Sequence, residues 1–179
     1  SAIEDLDALP FPHAAAASTN AGAVAGGVVT SRGCPARCTF CANYVTGRAY
    51  RWRSPENVVA ELVALRRKYG LDHVPFWDDA FTARRPRLEA LCDAIRAEPD
   101  LRGMTWTCIT PGNMVLPRDL ERRRRAGCVA VNFGIESGDK GVLRAIRKGQ
   151  TPERVIAAVD AARAAGMMTI VNFMFGFPG

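Results

Sequence analysis

Three cysteines fall within eight residues, Cys34, Cys38 and Cys41, in the stretch Ser31-Arg32-Gly33-Cys34-Pro35-Ala36-Arg37-Cys38-Thr39-Phe40-Cys41. The spacing is Cys-x3-Cys-x2-Cys. Thiolates brought together on one short loop suit a cubic 4Fe–4S cluster, which has four irons to hold. Three protein ligands leave one iron open, where a small molecule can bind and react. The competing reading is a structural zinc site, which needs four ligands on one ion. The chain has two histidines, His13 and His73, neither near the triplet. Cys92, Cys108 or Cys128 could supply a fourth sulfur, although each stands alone in sequence. A disulfide framework fits poorly, because a chain of 179 residues with 48% hydrophobic content can bury a sizeable core without one.

Strand and helix signals alternate after residue 27. Val28–Ser31 reads as a first strand delivering the cysteine loop. Ser54 caps a helix with Pro55 at its first position and an apolar stripe from Val58 to Leu65, ended by Gly70. His73–Trp77 is a second strand, and Leu88, Leu91, Cys92 and Ile95 mark a helix. A third strand alternates through Met104, Trp106 and Cys108, and Pro117 opens a short helix that stops at Gly127. Cys128–Phe133 is a fourth strand, nearly continuously apolar, as expected where both faces are buried. A short helix around Leu143 and Ile146 follows. Thr151-Pro152 then caps a longer helix ended by Gly166, and Met168–Phe175 is a fifth strand.

This order implies parallel βαβ units in an α/β fold, and therefore an open doubly wound sheet or a barrel. No glycine fingerprint of a dinucleotide site occupies the first strand–helix turn; the cysteine loop does. Five strands are too few to close a barrel, so a partial parallel (β/α) barrel, a fragment of a longer protein, is expected. Its fifth strand would be an exposed edge.

In parallel barrels the chemistry sits at the C-terminal strand ends. Those ends here carry the thiol loop, then Asp78-Asp79, then Glu136-Ser137 and finally Phe173-Met174-Phe175-Gly176. Asp78-Asp79 could serve as a turn cap and Glu136 as a surface carboxylate. Yet an acid directly after a buried apolar strand calls for a partner, since burying a lone charge is costly.

The cysteine spacing, with Phe40 just before the last thiol, resembles the radical S-adenosylmethionine (radical SAM) enzymes. The resemblance covers most of the chain and implies a partial barrel of six units, here with five strands and truncated before the sixth. It implies that S-adenosylmethionine chelates the open iron and is cleaved by one electron to a 5′-deoxyadenosyl radical. It further implies that Asp78 and Asp79 accept the methionyl ammonium, that Glu136 and Ser137 contact the ribose, and that Phe173–Gly176, with Phe175 and Gly176, lies along adenine. The backbone of Phe40 would hold the adenine edge. Lys148 would pair with the methionyl carboxylate, or be a solvated helix-end lysine.

Leu9-Pro10-Phe11-Pro12, Arg53-Ser54-Pro55-Glu56, Asp78-Asp79-Ala80-Phe81 and Gly134-Ile135-Glu136-Ser137-Gly138 resemble the cobalamin-binding class of that family. This implies that residues 1–27 are a linker from an upstream cobalamin domain and that residues 28–179 are the radical SAM core, incomplete at the C-terminus. It also implies methylation or rearrangement of a small-molecule or natural-product substrate, with an electron donor such as flavodoxin or ferredoxin. No cobalamin-ligating Asp-x-His-x-x-Gly signature is present, so that cofactor is implied by the resemblance alone. Where the class carries Arg-x-Asp after the third strand, this chain has Pro111-Gly112-Asn113.

The other readings are a radical methylthiotransferase acting on RNA and, outside enzymology, a zinc-stabilised nucleic-acid-binding module. The net charge of +6 owes much to Arg122–Arg125. Four consecutive helical residues sweep most of a circle and so form no single nucleic-acid-facing stripe. A solvated helix end is the expectation, with at least one arginine laying its stem on apolar neighbours and its head in solvent. No apolar run reaches the ~18 residues of a membrane span. Reduced thiols and the lack of a signal peptide point to the cytoplasm.

Overall fold

The computed structural model describes residues 3–15, 27–43 and 48–177. Most of the alanine-rich stretch between Ala14 and Val29, together with Pro178 and Gly179, lies outside them. The elements in chain order are α1 (Pro12–Ala15), β1 (Ser31–Arg32), β2 (Arg51–Trp52), α2 (Pro55–Tyr69), β3 (His73–Phe76), α3 (Arg85–Ala97), β4 (Thr105–Pro111), α4 (Pro117–Arg125), β5 (Cys128–Glu136), α5 (Lys140–Ala145), α6 (Pro152–Ala164) and β6 (Met168–Phe173).

Local chemistry starts and stops the helices as the sequence signals. Ser54 Oγ accepts from the Asn57 amide at 3.1 Å, Pro55 occupies the first turn, and Gly70 ends α2 at φ 66°. Thr151 caps α6 by accepting from Arg154 N. The amphipathic stripe of α2 buries Val58, Leu62 and Leu65. Side by side, α2 packs on α3, α3 on α4, and α4 on α6.

The helices cover one face of a parallel sheet of order β3-β4-β5-β6. Trp106 and Cys108 of β4 and Val131 and Phe133 of β5 turn into this layer, where Trp106, Phe76 and Phe81 form an aromatic cluster with centroids 5.0–5.5 Å apart. The opposite face is half open. Ile109 and Pro111 of β4 and Asn132 and Gly134 of β5 lie on it, all partly exposed. So β5, read as buried on both faces, instead alternates from Val131 to Ile135, and its Gly134 and Glu136 border a cavity. It also runs three residues further than the apolar run, ending at Glu136.

The first expected strand is reduced to one parallel bridge, Val28 to Phe76, beside β3. Ser31 and Arg32 leave it to pair antiparallel with Arg51 and Trp52. The outer strand β6 has Met168, Ile170, Val171 and Phe173 exposed. Sheet and helices thus form an open α/β half-barrel layer, with no closure among the described residues.

The N-terminal segment packs on the start of α2. Asp7 accepts from Ser54 N at 3.0 Å, and the Arg53 guanidinium lies 5.3 Å from the Phe11 ring centroid. That guanidinium donates to Val29 O and Asn57 Oδ1 at 3.0 and 2.7 Å and pairs with buried Glu61.

The arginine run divides. Arg122 pairs with Asp93 at 2.7 Å, and Arg124 and Arg125 are exposed. Arg123 does not send its head to solvent: it is fully buried, with Nη1 3.6 Å from Cys108 Sγ and Nε donating to Asp119 O. The helix layer above it leaves no path to water for a side chain starting at that position.

Candidate active site

All three loop cysteines line one cavity of about 290 Å³ at the C-terminal ends of the strands. Two hydrogen bonds place the loop. Gly33 N donates to Asp79 Oδ2 at 3.0 Å, and Thr39 N donates to Ile146 O at 2.9 Å, just past the end of α5. Gly33 itself takes φ 85°, a conformation glycine adopts without strain. The three thiols are free, with Cys34 buried and Cys38 and Cys41 half-buried. Burial raises the Cys34 and Cys38 thiols above their ordinary range, and the Lys148 cation opposes this in both. Bound metal would replace those protons, since a thiolate is the ligand.

Glu136 and Lys148 form the opposite wall. Lys148 Nζ donates to Glu136 Oε1 at 2.6 Å, both side chains are largely buried, and the ammonium sits 5.5 Å from the Phe40 ring centroid. Glu136 holds φ 68°, a region non-glycine residues rarely adopt. Gly134 lies beneath the pair: a Cβ there would come within 2.9 Å of Glu136 Oε1 and 3.2 Å of Lys148 Nζ. Such strain and close approach are features of ligand clamps.

The cavity wall also includes Arg48, Ile109, Thr110, Pro111, Asn113, Met114, Asn172 and Met174. Asn113 Nδ2 donates to Gly149 O at 2.8 Å, while its buried Oδ1 has no hydrogen-bond partner among the described residues. An orphaned acceptor at a cavity wall suits a ligand N–H or O–H.

Residues 28–179 match the family described as the radical SAM superfamily. The chain belongs to that superfamily. It is 33% identical to an uncharacterized methyltransferase, PH0819, of Pyrococcus horikoshii, over 98% of this chain and 39% of that protein. It is 32% identical to the cytidylyl-2-hydroxyethylphosphonate methyltransferase of Streptomyces wedmorensis, over 97% of this chain and 35% of that protein. Its fold is similar to that of the radical S-adenosylmethionine methyltransferase TsrM from Kitasatospora setae, solved with cobalamin and a 4Fe–4S cluster. The TM-score is 0.79 at 24% identity, covering 86% of this chain and 31% of that one. The chain therefore spans under two-fifths of the length of these relatives.

A radical SAM cluster suits the thiol arrangement. Among the described residues no three His, Cys, Asp or Glu side chains gather closely enough for a single metal ion. A cubane asks for something different, because each thiolate binds its own iron. Cys92, Cys108 and Cys128 are buried on the helix-covered face and contribute nothing to the cavity.

Of the other residues singled out by sequence, Phe40, Asp79, Glu136 and Lys148 meet at the cavity, and Asp78, Ser137, Phe175 and Gly176 do not line it. Asp78 points the other way. It accepts from Thr30 N, Thr30 Oγ1 and Ser31 Oγ at 2.6, 2.5 and 2.6 Å, and buried Arg87 stands 3.6 Å away. Its carboxylate welds the end of β3 to the chain entering the cysteine loop. Neighbouring residues of extended chain face opposite sides, so only one of the paired acids could reach the cavity. Ser137 Oγ accepts from Asp139 N within its own turn. Phe175 is 94% exposed, while Asn172 and Met174, in alternate register, line the wall. Phe177, not Phe175, meets Phe40, with centroids 5.5 Å apart. Met174 falls in the strand-end segment Phe173–Gly176 singled out by sequence, whereas Asn172 and Arg48 were not named there; alternation along the strand would have found Asn172.

Proposed function

We propose that this chain is the catalytic core of a radical SAM methyltransferase acting on a small organic substrate. The observation that carries the reading is three free thiols, an acid and a buried lysine–glutamate pair around one cavity. The methyltransferases it resembles over nearly its whole length support the reaction class.

Cys34, Cys38 and Cys41 would hold the 4Fe–4S cluster, which when loaded supplies one electron to S-adenosylmethionine. The protein's own task is to bind, orient and exclude water. Beyond its bond to Gly33, Asp79 has a carboxylate oxygen with no hydrogen bond among the described residues, suited to the methionyl ammonium. Lys148 suits the methionyl carboxylate, and Glu136, held against it, then turns to the ribose hydroxyls. The orphaned Asn113 Oδ1 and the Phe40 backbone suit the adenine edge. Ser137, Phe175 and Gly176 have no part in this arrangement as it stands, and Asp78 positions the loop.

Cobalamin as methyl carrier is part of the proposal. It draws support from the fold shared with TsrM, and the chain's own residues do not test it. An electron donor is implied by the chemistry. Among the described residues no helix is long and apolar enough to cross a membrane.

The test is anaerobic reconstitution of the whole protein with iron and sulfide. The expected result is about four irons and four sulfides per chain, as one cubane requires, with S-adenosylmethionine consumed under dithionite. One zinc without sulfide would overturn the cluster. Adding hydroxocobalamin and following S-adenosylhomocysteine against 5′-deoxyadenosine separates methyl transfer from other radical outcomes.

A further inference from the structure

The cysteine loop and the end of α5 carry positive charge that the fold leaves unneutralised. Between Ser31 and Cys41 the charged residues are Arg32 and Arg37; between Lys140 and Gln150 they are Lys140, Arg144, Arg147 and Lys148. Neither segment contains an acid. Lys140 is paired with Glu153 and Lys148 with Glu136. Arg37, Arg144 and Arg147 are exposed and make no ion pair among the described residues.

These arginines belong to one rim. The bond from Thr39 N to Ile146 O clamps the two segments together, two residues from Arg37 and one from Arg147. Chain reach then keeps the Arg37 and Arg147 backbones within about 15 Å. Arg147 is held at φ 53°, so its position is set by the turn rather than by a partner for its charge.

The rim also reaches the candidate cluster site through the loop itself, where Pro35, Arg37 and Thr39 are exposed. Arg37 directly precedes Cys38, whose thiol is half-buried, whereas the cavity mouth lies at the strand ends and is needed for ligands. We propose that Arg37, Arg144 and Arg147 form the docking surface for an acidic one-electron carrier protein, which reduces the cluster through the cysteine loop. The inference rests on the reading of the thiol site as a cluster. One electron leaves the carrier and enters the cluster, and nothing else is transferred.

Charge complementarity favours such a carrier over RNA. Single-stranded RNA surfaces join basic groups to free aromatic faces. Here the aromatics next to the rim, Phe40 and Phe177, pack on each other. Steering by a compact charged patch raises association rates about 10- to 1,000-fold and weakens with salt.

The test uses the reconstituted full-length protein and a flavodoxin. Flavodoxin binding is measured calorimetrically at low and high salt. Cluster reduction is followed by loss of visible absorbance, once with reduced flavodoxin and once with dithionite. Arg37→Glu/Arg144→Glu/Arg147→Glu should weaken binding and slow flavodoxin-driven reduction at least about tenfold, with dithionite-driven reduction unchanged. The single variant Arg37→Gln should show a smaller loss in the same direction. Flavodoxin that fails to bind the parent protein, or that binds and reduces the triple variant as well as the parent, overturns the proposal. So does an RNA oligonucleotide that displaces flavodoxin and itself loses affinity in the variant. Failure of dithionite to drive S-adenosylmethionine cleavage in the parent protein would count against the active-site reading instead, and the binding arm would still decide the surface.

Discussion

Two cysteine trios share this molecule, and they differ in access to the cavity and in the charges beside them. Cys34, Cys38 and Cys41 sit on a loop, line a cavity and face Asp79 and Lys148. Cys92, Cys108 and Cys128 come from α3, β4 and β5 and meet in the sealed layer between helices and sheet. Burial pushes the Cys92 thiol up to about 12 and the Cys128 thiol well above its ordinary range. Cys108 moves down, through its hydrogen bond with Cys128 and the adjacent Arg123 guanidinium. Residue type therefore says little about a cysteine's role; access and neighbouring charge decide it. The first trio is arranged for ligation, the second for packing around a buried cation.

Replacing members of either trio should break the comparison most visibly. Alanine at Cys34, Cys38 or Cys41 should each abolish cluster-dependent S-adenosylmethionine cleavage, with the fold intact by circular dichroism. Alanine at Cys92 should leave the iron content at parent level and instead lower unfolding free energy by about 1–3 kcal/mol, the usual range for a core truncation. Iron lost from the Cys92 variant, or retained with full activity in all three loop variants, would erase the distinction.

The charged partners come next. Lys148→Met strands a largely buried Glu136 carboxylate, and breaking such a pair from one side costs about 3–5 kcal/mol. Affinity for S-adenosylmethionine, read by equilibrium dialysis, should fall more than about tenfold, the equivalent of 1.4 kcal/mol. Glu136→Gln keeps a hydrogen-bonding partner and should lose less. By contrast, Arg123→Met removes a buried cation that has no carboxylate partner among the described residues. No buried counter-charge is stranded by the change, which is the costly outcome of breaking an ion pair from one side, so chemical denaturation should show little loss.

The smallest effect concerns pH. Thiols whose folded value lies above the unfolded one contribute stability below the ordinary thiol value, and that stability is lost as pH rises towards the folded value. For Cys92 that window runs from 9.0 to about 12. The metal-free protein should therefore lose denaturant resistance across this range, with Cys34 and Cys38 adding in the same direction. Iodoacetamide at pH 8 should label Cys34 and Cys38 slowly and leave Cys92 untouched until unfolding. Rapid labelling of Cys92 in the native protein would show that its core opens.

Much of this was legible in the chain. Ser54, Thr151 and Gly70 end helices through bonds to their own neighbours, so a local signal suffices. The cysteine loop was legible for the same reason, since its three thiols fall within eight residues. Less could be read where partners are distant in sequence. Asp78 and Asp79 look alike in the chain, yet one bonds to residues 47 and 48 positions upstream and the other faces the cavity. Arg123 was expected to reach water, and the layer formed by α3, β4 and β5 prevents it.

By itself the amino-acid order determined the alternation of strands and helices, the parallel topology and the grouping of three cysteines on one loop. Those properties follow from periodicity, caps and short-range spacing. Only the tertiary structure decided which acid turns inward, that Lys148 meets Glu136 over Phe40, and that Asn172 and Met174 rather than Phe175 complete the wall. These depend on strand register and on which face of each strand the helices cover, and both are settled by packing between segments far apart in the chain.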